Sequence, residues 1–168
     1  MSERSPAPGG LTLVESLVNT LDIESGADSL DTVDGRARLG LTEDELPQAR
    51  ALRESLRAAL LAHAGHPPHR EVTPLGELLA HAPLYVAVDD HDGSASLAPA
   101  DTGPLLSRVA AAVAEALVAG TWTRLKACEA ETCHWAYYDR SPAGRGRWCS
   151  MQVCGARAKM RRYRAKEA

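Results

Sequence analysis

Along most of this chain the apolar residues recur every three or four positions, the spacing of one helical face, and only a few short stretches alternate as strands do. Residues 11–21 (LTLVESLVNTL) predict a short amphipathic helix. Residues 22–35 are acidic and punctuated by Gly26 and Gly35, which predicts a loop with one turn near residues 30–33. Residues 36–41 suit another short turn. The strongest helical signal covers residues 43–64, where Leu46, Ala49, Leu52, Leu56, Ala59 and Leu60 form one apolar stripe. Two start signals compete there. Thr42 with Glu45 has the form of a capping box, whereas Pro47 fits best at the first helical position. Gly65, Pro67 and Pro68 end the helix. Thr73 and Pro74 open a short helix that stops before Pro83. Residues 84–88 (LYVAV) predict a strand, 90–93 a turn and 95–98 a return strand, a ribbon that needs helices beneath it. Pro104 opens a long helix over residues 105–118. Gly120 ends it, or residues 122–126 extend it.

Composition narrows this picture. The 168 residues are 45% hydrophobic with no Phe, so a core in the first two thirds rests on Leu, Val and Ala, as in packed helices. No apolar run approaches the roughly 20 residues of a membrane span. The opening MSERSPAPGG lacks the apolar stretch of a signal peptide and reads as a flexible tail over residues 1–10. A cytoplasmic location without a membrane partner is the expectation. The net charge of −3 conceals a split. Residues 1–120 carry 18 acidic and 8 basic side chains, a net of −10, whereas residues 121–168 carry 4 and 11, a net of +7. The basic end can capture phosphates or dock on the acidic part.

All four cysteines lie in that basic end, as Cys128-x4-Cys133, fifteen residues, then Cys149-x4-Cys154. Two close pairs joined by a hairpin-length gap suit tetrahedral zinc held by four thiolates. Such a site is structural, since it leaves zinc no open position for water. Two disulfides, four buried thiols or an iron–sulfur cluster are the alternatives. The first is disfavoured without a signal peptide, the second by the polar surroundings. His134 beside Cys133 is read as an ordinary side chain rather than a ligand. Between the pairs, residues 134–138 can form a strand, 139–144 a turn and 146–148 a returning strand. Ser150 then caps a helix over residues 151–165. Trp135, Tyr137 or Tyr138, Trp148, Met151, Met160 and Tyr163 are available as a small core, which needs the metal to fold.

Arg140, Arg145 and Arg147 fall in or beside the turn, and Arg157, Lys159, Arg161, Arg162, Arg164 and Lys166 on the helix. Helical spacing puts Arg157, Arg161 and Arg164 on one side and Lys159, Arg162 and Lys166 on another. This is a candidate nucleic-acid surface made of Arg140, Arg145, Arg147, Arg157, Lys159, Arg161, Arg162 and Arg164.

These residues also carry a resemblance. CEAETC followed by WAYYDRSPAGRGRWCSMQVCGARAKMRRYR is similar to the bacterial CGNR zinc fingers. The signature stands here as Cys154, Gly155, Ala156 and Arg157, with Ala156 in place of the usual Asn. Tyr138-Asp139-Arg140-Ser141 and Arg147-Trp148-Cys149-Ser150-Met151 match further. LTLVESLVNT at 11–20 and LPQARALRESLRAAL at 46–60 resemble the companion ABATE domain, with Glu15 where Asp is usual and Asn19-Thr20 kept. The resemblance implies a mainly α chain: a helical ABATE-like domain with a small β-ribbon over residues 11–125, then a treble-clef-like zinc finger of knuckle, β-hairpin and helix over 126–168. It also implies a regulator of transcription. Asn19 either ends the first helix or faces a small-molecule pocket.

The functional reading is a zinc-dependent DNA-binding regulator whose finger neutralises phosphates, with duplex DNA as partner and the helical domain sensing a small-molecule effector or forming a homodimer. RNA binding and a protein-interaction adaptor are the alternatives. No Gly-rich phosphate loop, metalloprotease histidine pair, nucleophile elbow or deaminase pattern is present, so no enzymatic activity is expected. His63, His66, His69 and His81 read as solvated loop histidines.

Overall fold

A computed structural model describes residues 5–167. Six helices and two small antiparallel sheets make up the described residues. In chain order they are α1 (Leu11–Val18), a 3-10 turn, α2 (Val33–Leu39), α3 (Leu46–His63), α4 (Leu75–Leu79), β1 (Leu84–Val88), β2 (Ala95–Pro99) and α5 (Leu105–Val118). A second 3-10 turn (Trp122–Arg124), β3 (Leu125–Ala127), β4 (Ala136–Tyr138), a π-turn (Met151–Gly155) and α6 (Ala156–Glu167) complete the chain. The chain is thus mainly helical, with small ribbons and a cysteine-bearing C-terminal finger.

The core is aliphatic, as the composition requires. Leu11, Val14, Leu17 and Val18 of α1 meet Leu52, Leu56, Leu60 and Leu61 of α3 and Val109 of α5. α3 begins at Leu46, one residue before the position expected from Pro47, which falls in the first turn where its missing N–H costs no helical bond. The competing signal survives in part, because the Glu45 carboxylate accepts from the Thr42 N–H at 2.8 Å. Gly120 ends α5 in the left-handed conformation at φ 66°, a geometry that costs glycine nothing. The chain therefore turns into β3 rather than extending the helix.

Two features depart from expectation. Residues 5–10, taken as part of a tail, are held down: Ala7 is buried, and its N–H donates to Glu15 Oε2 at 2.7 Å. Residues 1–4 of that tail lie outside the described residues. The hairpin of the finger also forms elsewhere. β4 pairs with β3, Lys126 opposite Tyr137, so the first cysteine pair sits in the connection between them. Residues 146–148 make no strand; their link to this ribbon is the Glu129 N–H donating to the Arg147 carbonyl at 3.0 Å.

The finger is not packed as a separate unit. All three β3 residues are buried, and Leu125, Ala127 and Ala136 belong to the main core. The expected division between residues 125 and 126 thus falls inside a strand lying on α3. Polar groups fix this junction. Asn19, the C-cap of α1, donates from Nδ2 to the Ala136 carbonyl at 3.0 Å and accepts the Ala136 N–H at 2.7 Å. It therefore reaches the finger, and its side chain completes the edge of β4 as a neighbouring strand would. On either side of it, Arg57 donates to the Val18 carbonyl at 2.7 Å and Arg53 to Thr20 Oγ1 at 3.0 Å. Both arginines are buried and share Glu54, whose carboxylate also meets His69 Nε2 at 2.9 Å. Burial disfavours the Glu54 charge, but the Arg57 and Arg53 guanidinium groups outweigh it and hold the carboxyl at about 2.

Candidate metal centre

The four cysteine sulfurs lie within 4.8 Å of one another. The Cys133–Cys149 and Cys149–Cys154 sulfurs are 3.6 and 3.7 Å apart. Zinc–sulfur bonds of about 2.3 Å in a tetrahedron put neighbouring sulfurs about 3.8 Å apart, whereas a disulfide needs about 2.05 Å. The spacing fits one ion and no disulfide. The thiol chemistry agrees. Hydrogen bonds from Cys133 and Cys149 pull Cys128 far down, which pushes Cys133 up to about 12 and Cys149 higher still; burial raises Cys154. Four sulfurs this close cannot all be anionic unless a cation sits among them. The cluster is a structural four-thiolate zinc site.

Local sequence builds each half. The Cys133 and His134 N–H groups both turn back onto the Ala130 carbonyl, at 2.8 and 3.1 Å. This tight knuckle forces His134 to φ 45°, a left-handed conformation unusual outside glycine. His134 is no ligand. Its Nδ1 donates to the Cys128 carbonyl at 2.9 Å and braces the knuckle. In the second half, Ser150 Oγ accepts the Val153 N–H at 3.3 Å, the expected cap, and a π-turn sets Cys154 facing Cys149. Trp135 and Trp148 pack against the cysteines. Met151, Met160 and Tyr163, expected to join them, are each more than half exposed; Met160 and Tyr163 lie on α6, on the side opposite the buried Ala158.

The loop between the pairs is pinned by a buried carboxylate, Asp139, which in the sequence is marked only as a turn and motif residue. Asp139 accepts from Ser141 N–H at 3.0 Å, Gly146 N–H at 2.7 Å and Lys126 Nζ at 3.0 Å. Burial opposes its charge, but these donors hold its carboxyl far below the ordinary range. Arg124 donates to the Asp139 and Ser141 carbonyls. Lys126 and Arg124 are thereby structural cations. A Cβ on Gly146 would lie 2.8 Å from Asp139 Oδ1, so only glycine lets the loop close on this carboxylate.

The arginines expected on nucleic acid fall into two groups. Arg140 donates to the Ser5 and Pro6 carbonyls, Arg147 forms a bidentate pair with Glu129, and Arg157 pairs with Glu24 at 2.9 Å. These three tie finger to domain or loop to knuckle. Lys159, Arg161, Arg162 and Arg164 stand on the exposed part of α6, and Arg145 stands exposed at the loop. The solvated histidines expected at residues 63–69 instead line the junction. His63 Nδ1 donates to the Leu125 carbonyl at 2.8 Å, and the His69 ring lies 5.9 Å from that of His134.

A helical domain continuous with a four-thiolate finger and a basic terminal helix defines a zinc-finger protein. Residues 124–167 match the CGNR zinc finger, and residues 11–120 match ABATE, described as "Putative stress-induced transcription regulator". The second match spans well over half of the chain, which belongs to the ABATE family with a CGNR finger. Both are regulatory, non-catalytic modules. No curated protein matches the chain. Among the described residues, no helix is long and apolar enough to cross a membrane.

Proposed function

We propose that this protein is a DNA-binding transcription regulator whose finger holds nucleic acid through its basic side chains. The observation that carries the reading is α6, a helix with cations along two of its sides that leaves the protein at the zinc site. The metal fixes the start of α6 and the Asp139 hub fixes the loop, so the backbone that carries the cations needs no ordering at the moment of binding, and only their side chains lose freedom. Arg145, Lys159, Arg161, Arg162 and Arg164 supply the phosphate contacts. Arg140, Arg147 and Arg157 act chiefly in holding the finger. We keep the unit as a finger over residues 126–168 in function, although its first strand is built into the helical core.

The test is fluorescence anisotropy of the zinc-loaded protein with labelled duplex DNA at several salt concentrations, with a matched RNA alongside. Binding should weaken linearly in log–log form with salt, and the slope divided by about 0.9 counts the phosphate contacts. Replacing Arg145, Arg161, Arg162 and Arg164 by Ala should abolish it. Absence of binding to either polymer at low salt defeats the reading and leaves α6 as a docking surface for an acidic protein.

A small-molecule effector is a second element of the reading, supported by one cleft. Between the β1–β2 ribbon and α5 lies an apolar space of about 830 Å³, walled by Val86, Leu97 and Val118. Its size is that of a small-ligand site. Saturable binding of a neutral apolar dye, lost in Ala111→Trp, tests it.

A further inference from the structure

We infer that α6 is a major-groove reading helix, with Met160 at the centre of its DNA-facing side and a row of cations on each flank. This rests on the DNA-binding reading above and adds the groove and the contact.

At about 3.6 residues per turn, the side chains of residues 156–166 in α6 sort into four stripes. Ala158 is buried and marks the side turned toward the protein. The opposite side carries Ala156, Met160 and Tyr163, and the last two are 53% and 58% exposed. One flank of this apolar stripe carries Arg157, Arg161 and Arg164. The other carries Lys159, Arg162 and Lys166. The order around the helix is therefore protein, cations, apolar stripe, cations.

An exposed apolar stripe between two cationic rows needs a partner with the inverse pattern. Duplex DNA has it. Two phosphate rows border a major groove about 12 Å wide, which admits a helix about 10–12 Å across, and thymine methyl groups lie on its floor. A second copy of the chain does not fit, because pairing the stripes would bring four cationic rows together. The major groove of duplex RNA is too deep and narrow for side chains to read. Arg157 stands at the start of its row, paired with Glu24 across an exposed contact, and the outer turns remain clear. Met160 is unbranched and adaptable, suited to methyl contacts rather than to one rigid geometry.

Thymine and uracil differ in duplex DNA only by the C5-methyl group in the major groove. The experiment uses full-length, zinc-loaded protein and two fluorescein-labelled hairpins, one of alternating dA–dT and one with deoxyuridine for every thymidine. Anisotropy gives both affinities across a salt series, for the native chain and for Met160→Ala, with zinc content confirming that the exposed substitution leaves the finger folded. The thymidine hairpin should bind on the order of fourfold tighter, the weight of one buried methyl group. Met160→Ala should bring that ratio toward one with the salt slope unchanged. Equal affinity for both hairpins, with a normal salt slope, overturns the groove assignment and leaves nucleic-acid binding standing. A ratio that survives Met160→Ala, or tighter binding of a matched RNA hairpin, also overturns it. If neither DNA hairpin binds at low salt, the underlying reading fails as well.

Discussion

Asn19→Ala tests whether the helical domain and the β3–β4 ribbon are one folding unit. The substitution removes two hydrogen bonds to the Ala136 backbone, at 3.0 and 2.7 Å, and Ala136 itself is 1% exposed. A net hydrogen bond contributes about 1 kcal/mol, and an orphaned buried donor or acceptor costs about 1–3 kcal/mol. Asn19 is only half-buried, so water recovers part of this, and the expected loss is about 2–3 kcal/mol. That is a large share of the roughly 5–15 kcal/mol that stabilises a domain, equivalent to a fall of about 5–10 °C in Tm for a chain of this size. Urea unfolding at saturating zinc, followed by tryptophan fluorescence and circular dichroism, measures it. Native-state hydrogen exchange at the Ala136 amide shows where the loss falls. Asn19→Asp keeps the acceptor but sets a carboxylate beside the Ala136 carbonyl, so it should be no more stable than the alanine variant. A destabilisation below about 0.5 kcal/mol, with Ala136 exchange unchanged, would refute the reasoning, since surface changes without structural role fall in that range.

Acid sensitivity should include Glu54 in the helical domain, as well as the Asp139 carboxylate and the zinc thiolates of the finger. The folded pKa of Glu54, about 2, lies below its ordinary 4.5, so its contribution is present above pH 4.5 and is lost as pH falls toward 2. This corresponds to about 3 kcal/mol, and Glu54→Gln should flatten the acid limb of a stability–pH curve while lowering stability at pH 7, because Arg53 and Arg57 stay buried without their carboxylate. Chelation of zinc, or Cys149→Ser, should raise hydrogen exchange across α6 and residues 149–155 and leave α1, α3 and α5 protected, because those helices share an aliphatic core that contains no cysteine. Gly146→Ala should loosen the Asp139 loop, visible as faster zinc transfer to a chelator, since its methyl group would press on the carboxylate.

The local chemistry of this protein is written in its sequence. Aliphatic residues at helical spacing define α3 and α5, proline and glycine set their ends, and two Cys-x4-Cys pairs define the zinc site, because each signal acts over a few residues. Ser150 was legible as a cap for the same reason. What tertiary structure alone decided is the set of partners across long separations. β4 pairs with β3 rather than with residues 146–148, since Leu125, Ala127 and Ala136 gain burial against α3 that the other pairing would forgo. Asn19 carries no signal of a partner 117 residues away, and its role appears only when α1 and β4 meet. Asp139 looks like a turn residue and Lys126 and Arg124 like surface charges, yet folding gathers them around one loop, Lys126 on the Asp139 carboxylate and Arg124 on the loop carbonyls. The eight cations nominated for nucleic acid divide likewise, three held by acidic or carbonyl groups and the rest presented outward. Charge type is local information, but whether a charge is already paired depends on which distant groups the fold brings within a few ångströms.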